Sequence, residues 1–116
     1  MPAPSDPLSL VRVGTAAETA DAVTRSHLAD GRVVGWYGDP GTVVDAEIGT
    51  VAPPPHLVAR FGAEDFHGRW TRAECAAKLA HVPMHLWLRE HGLTSGDALV
   101  ETHLVGDLVV SLGRVR

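Results

Sequence analysis

Two pairs of side chains carry most of the chemistry that this sequence could perform. Asp45 and Glu47 stand two residues apart in the run Thr42–Ile48, and Glu74 and Lys78 stand four apart in the segment 70–78. In a strand, alternation puts both carboxylates of the first pair on one face, with Val44, Ala46 and Ile48 on the other. They are then either the solvated face of a strand or half of a site for a hard divalent cation such as Mg²⁺, which takes one or two carboxylates and completes its octahedron with water and phosphate oxygens. On a helix, Glu74 and Lys78 share a face with the acid on the N-terminal side. As an exposed pair they would contribute about 0.3–0.5 kcal/mol. Lys78 is nevertheless the only lysine, all other cations being arginine. An ammonium is compact and can release its proton, which a guanidinium cannot. Thr71 followed by Glu74 also reads as a capping box starting the helix at Thr71.

Composition bounds the rest. A chain of 116 residues, 45% of them hydrophobic, suits one globular domain with a core, expected over residues 8–116 behind a loose, proline-rich arm at residues 1–7. No apolar run approaches the ~20 residues of a membrane span, and residues 1–7 have neither the charge nor the apolar centre of a signal peptide. A cytoplasmic protein is expected, with no membrane partner. The net charge of −4 without a basic run argues against nucleic acid. A single cysteine, Cys75, excludes an internal disulfide and reads as a small buried residue among alanines.

The elements that must position these groups follow from pattern. Residues 8–13 alternate and predict a strand. Thr15 and Glu18 form a second capping box, and Ala16, Ala20, Val23 and His27 or Leu28 recur at helical spacing, so a helix is expected from Thr15 until Gly31 stops it. The runs 32–37 and 42–48, joined by Gly38-Asp39-Pro40-Gly41, predict a β-hairpin. A polyproline connection over 49–55 leads to one or two helical turns at 56–61, a loop at 62–68, the helix 71–81 ended by Pro83, and a further helix over 84–91 closed by Gly92. Two tail strands, 98–104 and 108–112, turn around Gly106-Asp107. The fold class expected is α+β: one small antiparallel sheet, built from the 32–48 hairpin and the tail strands, with the 15–30 and 71–91 helices on one face. His81 and His85 have zinc-helix spacing, but Pro83 between them breaks the register.

Taken in order, Ser26-His27, the strand 33–37, Val43-Val44-Asp45-Ala46-Glu47, the proline-rich linker with 57–61, Trp70-Thr71-Arg72-Ala73-Glu74-Cys75-Ala76-Ala77-Lys78 and Gly92-Leu93 resemble the 4'-phosphopantetheinyl transferases. The motifs look like those of the surfactin-synthetase-activating type: Ser-His before a strand, Gly-x-Asp-x-Glu, and Trp-x-x-Lys-Glu-x-x-x-Lys. The length is that of the short holo-acyl-carrier-protein-synthase type. The chain departs from the pattern at Val43, where the family has glycine, at Ala73, where it has lysine, and in the longer segment between Lys78 and Gly92-Leu93.

The resemblance implies transfer of 4'-phosphopantetheine from coenzyme A to a serine of an acyl or peptidyl carrier protein, releasing adenosine 3',5'-bisphosphate. It implies that Asp45, Glu47 and Glu74 hold Mg²⁺, that Glu74 helps remove the serine proton, that Lys78 sits by the departing phosphate, that His27 contacts the coenzyme phosphates, and that Trp70 packs behind the site. Arg60, Arg69 and Arg72 are either a basic patch for the carrier or the coenzyme's 3'-phosphate, or solvated surface. A homo-oligomer, dimer or trimer, is expected because the long relatives are pseudo-dimers and the short ones trimers. The alternatives are a silent relative that binds coenzyme A or a carrier protein as a partner subunit, and a small oligomeric accessory domain.

Overall fold

Two three-stranded antiparallel sheets face each other in the computed structural model, which describes residues 6–116. The first sheet has the order β1-β3-β2, from β1 (Val11–Gly14), β3 (Val33–Trp36) and β2 (Thr24–His27). The second has the order β4-β6-β5, from β4 (Thr42–Ile48), β6 (Leu108–Arg114) and β5 (Leu99–Val105). Three helices follow β4: α1 (Pro55–Phe61), α2 (Phe66–Ala80) and α3 (Met84–His91). Among the described residues no helix is long and apolar enough to cross a membrane. Of the arm expected at 1–7, residues 1–5 lie outside the described residues, while Asp6 caps a short 3-10 turn over Pro7–Leu10.

The α+β class stands, but its layout differs from the expected single sheet. Each strand of the expected 32–48 hairpin forms, yet the two do not pair: β3 lies between β1 and β2, and β4 pairs with β6. The turn between them is a corner from one sheet to the other. Trp36 Nε1 donates to the Asp39 carbonyl at 2.9 Å and Thr42 Oγ1 to the Asp39 carboxylate at 2.8 Å, which fixes the bend. Burial decides the partition. The alternating Val44 and Ala46 of β4 pack with Leu28, Val34, Trp36, Leu108, Val110 and Leu112 into a core between the sheets, and a continuous hairpin would have left one sheet without an apolar facing layer.

The expected helix over 15–30 is absent. Its capping box does form, Glu18 N donating to Thr15 Oγ1 at 3.1 Å and Thr15 N to Glu18 Oε1 at 2.8 Å, but only turns follow. Ala16, Ala17 and Ala20 are exposed and offer little surface to bury, whereas residues 24–28 gain a strand ladder with β3 and bury Ser26 and Leu28. Tertiary burial outweighs weak helical preference. The tail hairpin is as expected, Gly106 taking φ +59 in its turn.

The central helix α2 starts at Phe66 rather than Thr71, so Thr71 is no cap. Its hydroxyl lies in the interface between α2 and the β4-β6-β5 sheet, 2.7 Å from Ser111 Oγ, which is in turn 2.8 Å from Thr102 Oγ1. The helix ends at Ala80 with His81 left-handed, and Val82 N returns to the Ala77 carbonyl at 3.0 Å. Its opposite face packs Phe66, Ala73, Ala76 and Ala77 against Trp87, Leu88 and Leu93. The contact with the sheet is close: a Cβ added at Gly113 would lie 2.8 Å from the Cβ of Cys75. Gly113→Ala is therefore expected to lower stability by about 1–3 kcal/mol, as overpacking does. Gly41→Ala, whose Cβ meets only an Asp39 carboxylate oxygen at 3.4 Å, should stay within ~0.5 kcal/mol in the same urea titrations.

Candidate functional site

The two sheets meet edge to edge where β2 passes β4, and there main-chain pairing gives way to side chains. Thr24 Oγ1 accepts from Val44 N at 3.1 Å and Ser26 Oγ from Ala46 N at 3.1 Å. From the helix side, Lys78 Nζ donates to the Val44 carbonyl at 2.7 Å, to the Arg25 carbonyl at 3.4 Å and to Asp45 Oδ1 at 3.3 Å. One ammonium thus joins β2, β4 and α2. Beside it opens a cleft of about 490 Å³, lined from β2 by Arg25, Ser26 and His27, from β4 by Asp45, Ala46 and Glu47, and from the helices by Trp70, Glu74, Lys78 and Met84.

The face of β4 that carries the carboxylates is the face on which α2 lies. Asp45 is consequently only 5% exposed, and its charge is compensated on one side: Oδ1 receives Ser26 Oγ at 3.1 Å and Lys78, while Oδ2 is buried with no hydrogen-bond partner. Burial pushes the Asp45 carboxyl up to about 7; Lys78 opposes the rise, and Glu74 and Glu47 add to it by repulsion. Glu47 is raised by burial, against the pull of His67, and Glu74 is raised by burial against Lys78. Three carboxyls in one cleft are therefore all held above their ordinary values.

Carboxylate oxygens are the donor type that a hard cation takes. Asp45 Oδ2 is a buried carboxylate oxygen without a hydrogen-bond partner, Glu47 and Glu74 line the same cleft, and a bound cation would relieve the repulsion that burial has left. Among the described residues no three His, Cys, Asp or Glu side chains already converge as a metal cage. Mg²⁺ retains several waters and does not require such a cage.

Of the residues singled out from sequence, the cleft gathers Asp45, Glu47, Glu74, Lys78 and His27, with Trp70 stacked on Phe66 at 5.9 Å along its wall. Arg60 and Arg72 are not in its lining. Arg60 lies over the Phe61 ring at 4.6 Å, and Arg72 binds Asp65 Oδ2 at 2.8 Å and Thr102 Oγ1 at 3.1 Å. Arg69 donates to the carbonyls of Phe61, Gly62 and Glu64 and so fastens the α1–α2 connection. Burial pushes the Cys75 thiol far up, which keeps it protonated and unreactive. Sequence reasoning missed Thr24, Arg25 and Ser26 as seam and cleft residues. Their only signal was the Ser-His pair, since nothing in the spacing couples position 26 to position 45.

Comparison of the chain with protein-family models, with curated proteins and with solved structures found no match.

A carboxyl raised in the folded state binds more protons there than in the unfolded chain, so stability falls as pH rises through the interval between the two values. For Asp45 that interval runs from the ordinary 3.8 to about 7. In the absence of divalent cations, urea midpoints should decline across this range, and Asp45→Asn should flatten the decline; an unchanged slope in the variant would show that Asp45 is not the group responsible.

Proposed function

We propose that this chain is a 4'-phosphopantetheinyl-transferase-type domain that binds the pyrophosphate of coenzyme A in the β2–β4–α2 cleft and transfers phosphopantetheine to a serine of an acyl or peptidyl carrier protein. The observation that carries the reading is the convergence in one cleft of His27, Asp45, Glu47, Glu74 and Lys78, which come from three elements, β2, β4 and α2, and are among the residues the motif resemblance selects.

Asp45, Glu47 and Glu74 would hold Mg²⁺, which when bound supplies neutralisation of charge developing on the pyrophosphate. The chain's own groups do the remaining work. Glu74, half-buried with its carboxyl raised by burial above the ordinary value, accepts the proton of the carrier serine. The serine oxygen bonds to the phosphorus that bears pantetheine, and the phosphoanhydride bond to adenosine 3',5'-bisphosphate breaks. Lys78 holds Asp45 in place and sets a positive charge beside the leaving phosphate. His27, exposed at the lip of the cleft, is available to the coenzyme phosphates.

A second reading has its own support. Lys78 Nζ spends its donors on two carbonyls and Asp45, which closes the seam rather than addressing a phosphate. A silent relative that binds coenzyme A or a carrier protein as a partner subunit would retain that contact.

Intact-protein mass spectrometry separates the two. Incubation with coenzyme A, Mg²⁺ and a panel of apo carrier proteins should add one phosphopantetheine to at least one carrier, and Glu74→Gln should abolish the gain while leaving the fold intact. Absence of transfer with Mg²⁺-dependent thermal stabilisation by coenzyme A would favour the silent relative. Absence of both would overturn the assignment.

A further inference from the structure

Among the described residues, strand β5 leaves an edge that no strand covers and that carries one formal charge, Glu101. Its seven residues, Leu99–Val105, pair with β6 on one side, and among the described residues no strand pairs with the other. The edges elsewhere differ. β1 spans four residues and carries Arg12 and Gly14, while the outer edge of β4 is occupied by Thr24, Ser26 and Lys78. β5 has no proline, lysine or glycine, and Leu104 is 81% exposed. Long apolar edges without such guards recruit another strand.

The sequence of β5 states which strand fits. In an antiparallel pairing of β5 with itself centred on Thr102, Val100 stands opposite Leu104 and Leu99 opposite Val105, so apolar meets apolar; Glu101, already 3.3 Å from His103 Nε2 of its own strand, stands opposite His103 of the other, so the two in-strand pairs join into one cluster of alternating acid and histidine. Moving the centre to Glu101 sets that carboxylate against its own copy and Leu99 against His103. Moving it to His103 loses the acid–histidine pairing. A like-charge pair directly opposite is destabilising, so the register has one favoured solution. Thr102 bonds to Arg72 of α2, which places Val100, Thr102 and Leu104 on the helix-bearing face and Leu99, Glu101, His103 and Val105 on the other. A two-fold axis perpendicular to the sheet at Thr102 preserves both faces. Arg72, the cation nearest that axis, is already paired with Asp65 at 2.8 Å.

We propose that β5 is a self-association edge: two copies pair antiparallel through Leu99–Val105, centred on Thr102, into one six-stranded sheet ordered β4-β6-β5-β5-β6-β4. Leu104 of each copy then covers Val100 of the other. The cleft at the β2–β4 seam lies at the far edge of each half and stays open. The inference stands independently of the reaction proposed above.

Sedimentation of the full chain over micromolar concentrations should show a mass rising from 12.3 kDa toward twice that value. Leu104→Lys should keep the circular dichroism spectrum and weaken association by ~tenfold or more. Register is read by mixing Val100→Cys and Leu104→Cys chains under mild oxidation. The mixture should form a cross-linked dimer that neither variant forms alone, because opposed residues lie ~5 Å apart and like positions four residues away along the strand; native Cys75 is buried and does not compete. A wild-type chain that stays monomeric, a Leu104→Lys variant that associates as tightly as the wild type, or a mixture without the selective cross-link would each overturn the proposal.

Discussion

The contact on which the rest of the structure depends is the ammonium of Lys78 between β2 and β4. Both strands run out of main-chain partners at that seam, and their carbonyls would face a half-buried gap. A hydrogen bond from a charged donor contributes about 1.5–3 kcal/mol, more than a neutral one, and leaving a buried carbonyl unpaired costs a similar amount. Lys78 meets two such carbonyls and one carboxylate oxygen with the three protons it has. A guanidinium is planar and forked and cannot deliver three divergent donors from one atom. The single lysine of the chain is thus accounted for by geometry before any chemistry is considered.

That arrangement also explains why the carboxylates are strained. The helix that carries Lys78 must lie against the β4-β6-β5 sheet, and the face it covers is the one bearing Asp45 and Glu47. Burial that would be inexpensive for valine is costly for an acid. The chain compensates Asp45 on one oxygen only and leaves the other without a partner. A protein under selection for stability alone could fill the same place with apolar side chains, which often do as well as a buried ion pair or better.

The helix–sheet interface is unusual in its small and hydroxylic side chains. Thr71, Ser111 and Thr102 form a hydrogen-bonded chain across it, and Gly113 lets Cys75 approach. The apolar mass is displaced to two other places, between the sheets and between α2 and the flanking helices. At the end of the sheets away from the corner, Arg32 donates to both oxygens of Asp107 and to Asp30, joining the β2–β3 loop to the β5–β6 turn. The two sheets are thus tied at the seam by Lys78 and at the loops by Arg32.

What the sequence by itself determined is local. Alternation placed Val44 and Ala46 on the apolar face of β4 and Asp45 and Glu47 on the other; Gly106-Asp107 marked the tail turn; the 3.6-residue period put Glu74 and Lys78 on one face; the capping box at Thr15 formed as its spacing requires. These features depend on neighbours a few residues away, which sequence displays directly. The tertiary structure alone decided which strands pair, that residues 24–27 extend rather than coil, that Thr71 faces a sheet instead of starting a helix, that Ser26 meets Asp45, and that Arg72 faces β5 rather than the cleft. Each of these turns on surface buried between segments far apart in the chain, and the free energy of that burial exceeds the few tenths of a kcal/mol by which local preferences differ.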